Sequence, residues 1–158
     1  PPRSTLFPYT TLFRSLIIDD GLSGALCLAA KSGVDVRIIT PGVPDKWYVH
    51  AVTRANYRPL IKAGVKIFEY SPGFIHSKSF LSDDKVGTVG TINLDFRSFY
   101  LHFECGVWLY GCDSLVSLKN DFLTTQGLCR EITMQELETE KLQRKVSGWL
   151  LRVFSPLL

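Results

Sequence analysis

His76-Ser77-Lys78-Ser79-Phe80-Leu81-Ser82-Asp83-Asp84-Lys85-Val86-Gly87-Thr88-Val89-Gly90-Thr91-Ile92-Asn93 holds an acidic pair between two runs of alternating polar and apolar or small residues. Two runs of β-favouring residues flank the acidic, turn-prone pair Asp83-Asp84, which predicts a β-hairpin. Side chains two apart on a strand share a face, so His76 and Lys78 are expected to project together. Asp83, at odd spacing from both, is not. A two-residue turn, at Asp83-Asp84 or Asp84-Lys85, would put Thr91 and Asn93 on the face of His76 and Lys78, whereas a three-residue turn breaks that register.

An imidazole, an ammonium, a hydroxyl and a carboxamide on one sheet face make a poor set for a dry core and a good one for a phosphoryl group. Imidazole is nucleophilic at neutral pH and can attack phosphorus or pass a proton to a leaving oxygen. Lys78 and the amide of Asn93 can stabilise charge on the non-bridging oxygens, with Thr91 adding a hydroxyl; removing one such donor typically costs roughly 3–4 kcal/mol in catalysis. Gly90 is expected to let backbone approach a ligand. The bland alternatives are a structural histidine and a solvated strand lysine.

His-x-Lys, four residues, Asp, six residues, then Gly-Thr-x-Asn resembles the HKD signature of the phospholipase D superfamily. The flanks Leu94-Asp95-Phe96-Arg97-Ser98 and Tyr70-Ser71-Pro72-Gly73-Phe74-Ile75 resemble bacterial cardiolipin synthases in particular, over roughly Leu16 to the C-terminus, which corresponds to the second half of such an enzyme. The resemblance implies an α/β fold, a mixed β-sheet flanked by helices, and two such halves around one site. It implies phosphatidyl transfer between two phosphatidylglycerol molecules, giving cardiolipin and glycerol through a phosphohistidine, with no cofactor and no metal. His76, Lys78, Asp83 and Glu104 are the implied catalytic residues, and His76, Lys78, Thr91 and Asn93 the phosphate-binding ones. For Asp83 the parity and the turn favour a structural role, its carboxylate bonding turn amides. Because the first copy usually supplies the nucleophile, His76 is assigned to protonating the leaving alcohol and activating the incoming one.

The implied partners are phosphatidylglycerol, the bacterial cytoplasmic membrane surface, and a missing N-terminal HKD half or a second copy of the chain. No nucleic acid is expected, since a net charge of +3 over 158 residues is too small to argue for it. The rival readings are a single-motif phosphodiesterase or nuclease active as a homodimer, and an inactive fragment that needs its N-terminal half. No apolar run approaches the length of a membrane span, and no signal-peptide pattern is present. Cys27, Cys105, Cys112 and Cys129 lack metal-site spacing, which favours reduced thiols.

In chain order, residues 1–15 show neither helical nor strand period, match nothing in the family and are set aside as non-native, leaving 16–158 as the half-domain. Leu16-Ile17-Ile18, a helix capped by Asp19-Asp20 and stopped by Gly33, and the strand 34–39 predict a β-α-β unit. Asp45 is expected to cap a second helix that Pro59 kinks or divides and Gly64 ends, before the strand 65–70. The family resemblance puts the loop 41–48, Tyr70 and Phe74 at the substrate cleft, with ordinary core packing the equal alternative for the two aromatics. Residues 103–110 read as a largely buried strand in which Glu104, costly among apolar residues unless paired, orients an imidazole by family analogy or pairs with Arg97. A helix over 113–129 follows, and Thr133-Met134-Gln135-Glu136 is a capping box. It opens one long amphipathic segment, basic enough to touch anionic lipid, although packing on its own domain is favoured.

Overall fold

The computed structural model describes residues 9–12, 16–43, 46–140 and 142–153. A seven-stranded mixed sheet runs in the order β8-β6-β5-β1-β3-β4-β9, beside a parallel two-stranded sheet, β2-β7. The strands are β1 (Tyr9–Leu12), β2 (Leu16–Ile17), β3 (Val36–Pro41), β4 (Lys66–Tyr70), β5 (Ser79–Ser82), β6 (Val86–Gly90), β7 (Leu94–Asp95), β8 (Gly106–Tyr110) and β9 (Cys129–Ile132). The helices are α1 (Asp20–Lys31), α2 (Trp47–Ala63), α3 (Ser114–Gly127), α4 (Met134–Thr139) and α5 (Leu142–Arg152), with one wide π turn at Arg97–Leu101. The α/β class and the mixed sheet flanked by helices are as expected.

Local chemistry explains most boundaries. Asp19 caps α1 by accepting from the Leu22 amide at 2.7 Å, and that bond lowers its pKa, with Tyr100 adding a second donor. Gly33 and Gly64 follow α1 and α2 at φ 94° and 102°, a backbone conformation that other residues adopt only under strain. Pro59 lies inside α2 without dividing it. The proposed cap Asp45 lies outside the described residues.

The β-α-β expectation needs a correction. β2 pairs with β7 in the small sheet. The parallel neighbour of β3 across α1 is β1, Tyr9 facing Val36 through Leu12 facing Ile39. β1 also pairs antiparallel with β5, so four residues of the segment set aside fill the slot between two strands. A strand slot is won by backbone hydrogen bonds and β-favouring residues such as Tyr-Thr-Thr, and four residues are too few to display a period. The second unit, β3-α2-β4, forms as expected.

The main core lies between the sheet and α1–α2, with Leu16, Val36, Ile38, Tyr57, Leu60 and Ile67 fully buried. A smaller cluster of Ile39, Phe68 and Phe122 takes Tyr70 against it, which gives Tyr70 a packing role. Strand β8 is not buried. It is the sheet edge, and Val107, Trp108 and Tyr110 are exposed. The long C-terminal segment is also two helices, because Glu140 leaves helical geometry with ψ 143°. The capping box of Thr133 and Glu136 is present.

Candidate active site

The hairpin forms, with a different register. Asp83 and Asp84 have φ of 52° and 55°, and the Lys85 amide donates to the Ser82 carbonyl at 3.0 Å, the pattern of a type I′ turn. Lys85 is then an extra residue, so Ser82 pairs with Val86 and Ser79 with Val89. The loop therefore holds three residues, and strand parity no longer places Thr91 and Asn93 on the face of His76 and Lys78. The bulge has a tertiary cause: the Lys85 carbonyl accepts from the Gly111 amide, just beyond β8, at 2.9 Å.

His76 and Lys78 do meet. The Lys78 ammonium lies 3.1 Å from His76 Nδ1 and 3.3 Å from Nε2, and donates to the His76 carbonyl at 2.9 Å. The two ring nitrogens point in different directions and only one of them carries an accepting lone pair in the neutral ring, so one ammonium cannot bond both in line; it sits against the ring as a close positive charge. Lys78 is 8% exposed, whereas the imidazole is open to solvent and stacked on Phe74 with centroids 5.8 Å apart. A cation desolvated behind an accessible imidazole suits an anionic ligand arriving from the open side.

Thr91 lies beyond the ladder, which ends at Gly90. Its hydroxyl donates to the Glu104 carboxylate and receives the Cys105 amide at 3.0 Å. Glu104 also accepts from the Ser98 hydroxyl at 2.8 Å, and the Ser98 hydroxyl oxygen accepts from the Asn93 backbone N–H at 3.0 Å. The Thr91 bond is the chief reason the Glu104 pKa is lowered; burial opposes it, and Ser98, His102 and Lys78 assist. Glu104 is thus held by hydroxyls, and no ion pair with Arg97 forms among the described residues. The Asn93 carboxamide oxygen is buried without a partner among the described residues, a group something must complete.

Asp83 stays in the turn, at the far end of β5 from Lys78, which lies just before Ser79, and accepts a 3.3 Å bond from the Ser82 hydroxyl. The structure does not bring it to His76. Ser98 was missed as a site residue. Its signal was the run Leu94-Asp95-Phe96-Arg97-Ser98, where Asp95 accepts the Ser98 amide at 2.8 Å and fixes the turn.

Gly90 serves strand packing. A Cβ there would meet Cys105 O at 2.4 Å and Gly106 Cα at 2.5 Å, so the close approach is to β8. Gly90→Ala is expected to cost about 2 kcal/mol, the usual scale of overpacking, read as a lower urea midpoint. A second expectation concerns pH. A lowered folded pKa means that Glu104 stabilises the fold fully above its unfolded value near 4.5 and loses that contribution as pH falls through the lower folded value. Wild type is therefore expected to lose stability relative to Glu104→Gln below about pH 4.5, in urea titrations at stepped pH.

A family model described as cardiolipin synthase, PLD-like domain, matches residues 9–125. The chain belongs to the phospholipase D superfamily, among its cardiolipin synthase-like domains. This phospholipase D-like match starts inside the segment that the sequence reading set aside. Cardiolipin synthase 2 of Bacillus anthracis is 40% identical over 142 residues, 90% of this chain and 28% of that protein. The phosphatidylserine synthase of Haemophilus influenzae shares the fold at a TM-score of 0.72 and 16% identity, covering 98% of this chain and 40% of that one. The Nuc protein of Salmonella typhimurium, a phospholipase D family member, does so at 0.70 and 18%, covering 82% and 84%. The chain spans about three-tenths of the length of the curated relatives it matches.

Proposed function

We propose that residues 16–158 are the C-terminal half of a phosphatidyltransferase that joins two phosphatidylglycerol molecules into cardiolipin and releases glycerol. The reading is carried by the Lys78 ammonium 3.1 Å from the exposed imidazole of His76. The partner half's histidine attacks the phosphorus of one phosphatidylglycerol. The bond from phosphorus to the glycerol oxygen breaks, and His76 gives that oxygen a proton. His76 then takes the proton of a hydroxyl on the second phosphatidylglycerol, which attacks the phosphohistidine and breaks the phosphorus–nitrogen bond. Lys78, its counterpart and the Asn93 amide offset the charge on the non-bridging oxygens. Glu104, with Thr91 and Ser98, orients this cluster and favours the charged form of a nearby imidazole. Asp83 is a turn residue in this scheme.

The need for a second motif-bearing half is supported by the exposed apolar edge at Val107, Trp108 and Tyr110, which something of matching chemistry should cover. Residues 1–15 are proposed to be a non-native segment whose Tyr-Thr-Thr-Leu occupies a strand slot. The genomic sequence upstream of codon 16 tests this, and a first HKD motif is expected there. Biochemically, the chain alone should show no turnover of phosphatidylglycerol vesicles, and adding the purified motif-bearing half should restore cardiolipin formation. Phosphodiester or nucleic-acid cleavage by the chain alone, as a symmetric dimer, would contradict the proposal.

A further inference from the structure

Helix α5 rests on α2 through small residues: a Cβ added at Gly148 would meet Ala51 O at 2.8 Å and Ala55 Cβ at 3.3 Å. With that side turned inward, Val146, Trp149, Leu150 and Val153, three, four and seven residues apart, form one outward stripe, and all four are exposed. Trp47, 69% exposed, and Trp149, 67% exposed, stand with Arg58 and Arg152 around a cavity of about 700 Å³.

Charge supplies an independent observation. The sequences of α2 and α5 carry Arg54, Arg58, Lys62, Arg144, Lys145 and Arg152 and no Asp or Glu. With 18 cations and 15 carboxylates in the whole chain, the rest of the molecule has more carboxylates than cations. Arg54 is held by Glu69 and Glu140 and Arg152 by Asp20, so the exposed Arg58 and Lys62 are the cations that α2 offers to a partner.

We propose that the α2–α5 face docks on an anionic phospholipid bilayer. Val146, Leu150 and Val153 enter the acyl boundary, the indoles of Trp47 and Trp149 lie at headgroup level, and Arg58 and Lys62 face the negative surface. Nucleic acid would satisfy the cations alone and leave Val146, Leu150 and Val153 in water. The surface is separate from the chemistry at His76, so docking and turnover can fail independently.

The test is sedimentation of the 158-residue chain with vesicles of phosphatidylcholine, with or without phosphatidylglycerol, alongside tryptophan emission. Phosphatidylglycerol is expected to strengthen partitioning at least about tenfold and blue-shift the emission. Arg58→Gln should weaken it about fivefold, the worth of one cation near such a surface. Trp149→Glu with Leu150→Glu should weaken it more, with unchanged circular dichroism, whereas Trp108→Phe on β8 should leave it unaltered. Equal partitioning into both vesicle types, no loss in either variant, tighter binding to duplex DNA, or self-association that buries Trp149 would overturn the proposal.

Discussion

His76→Ala, in the enzyme assembled from this chain and its motif-bearing partner half, is expected to lower phosphatidyl transfer at least about thousandfold. The histidine acts twice in the scheme, as acid toward glycerol and as base toward the incoming hydroxyl, and such proton transfer is typically worth ~10²–10⁴. The side chain is exposed, so the fold should change by no more than about 0.5 kcal/mol. The readout is the rate of cardiolipin formation beside a urea titration. Near-normal turnover with an intact fold would remove His76 from the mechanism.

Glu69→Gln is expected to produce the largest loss of stability. Glu69 sits on β4 with its side chain 5% exposed, and it pairs with Arg54 at 2.5 Å from α2 and with Arg130 at 3.2 Å from β9. The buried Tyr57 hydroxyl donates to it at 3.3 Å and is 2.6 Å from Thr40 Oγ1. Burial dominates in raising the Tyr57 pKa, and the nearby Glu69 charge adds to it. Arg54 also holds Glu140 at the break between α4 and α5, so the relay Glu69–Arg54–Glu140 ties the sheet through α2 to the C-terminal helices. Removing one member of a buried ion cluster costs about 3–5 kcal/mol. Arg54 and Arg130 each keep another carboxylate, which argues for the lower end, about 3 kcal/mol, or roughly 6–12 °C in Tm. Lys119→Ala, which breaks the more exposed pair with Asp84, should cost less than about 1 kcal/mol. Equal midpoints for the two variants would show that the Glu69 cluster adds nothing beyond a surface pair.

What could be read in the sequence follows from which forces are local. The meeting of His76 and Lys78 was legible because a spacing of two along an extended chain is enough to bring two side chains together. The Asp83-Asp84 turn was legible because Asp tolerates positive φ, but the extra residue Lys85 was not, since its carbonyl is claimed by Gly111 from a strand distant in sequence. The face assigned to Thr91 and Asn93 failed with that register. Thr91 lies past the end of the strand and binds Glu104, a contact that parity does not foresee. Tyr9–Leu12 went unread as a strand because its slot is defined by β3 and β5. Of the apolar run over 103–110 only Gly106–Tyr110 is strand, and composition says that a surface prefers cover and not where the cover comes from.

Nuclear magnetic resonance of the 158-residue chain, labelled at its three histidines and titrated with inorganic phosphate, probes the His76–Lys78 pair as a phosphate site. The ring nitrogens of His76 should respond, those of His50 should not, and Lys78→Met should weaken the response about tenfold or more. A His76 ring indifferent to phosphate, or one that responds equally well without the Lys78 ammonium, would contradict a phosphate site built on this pair.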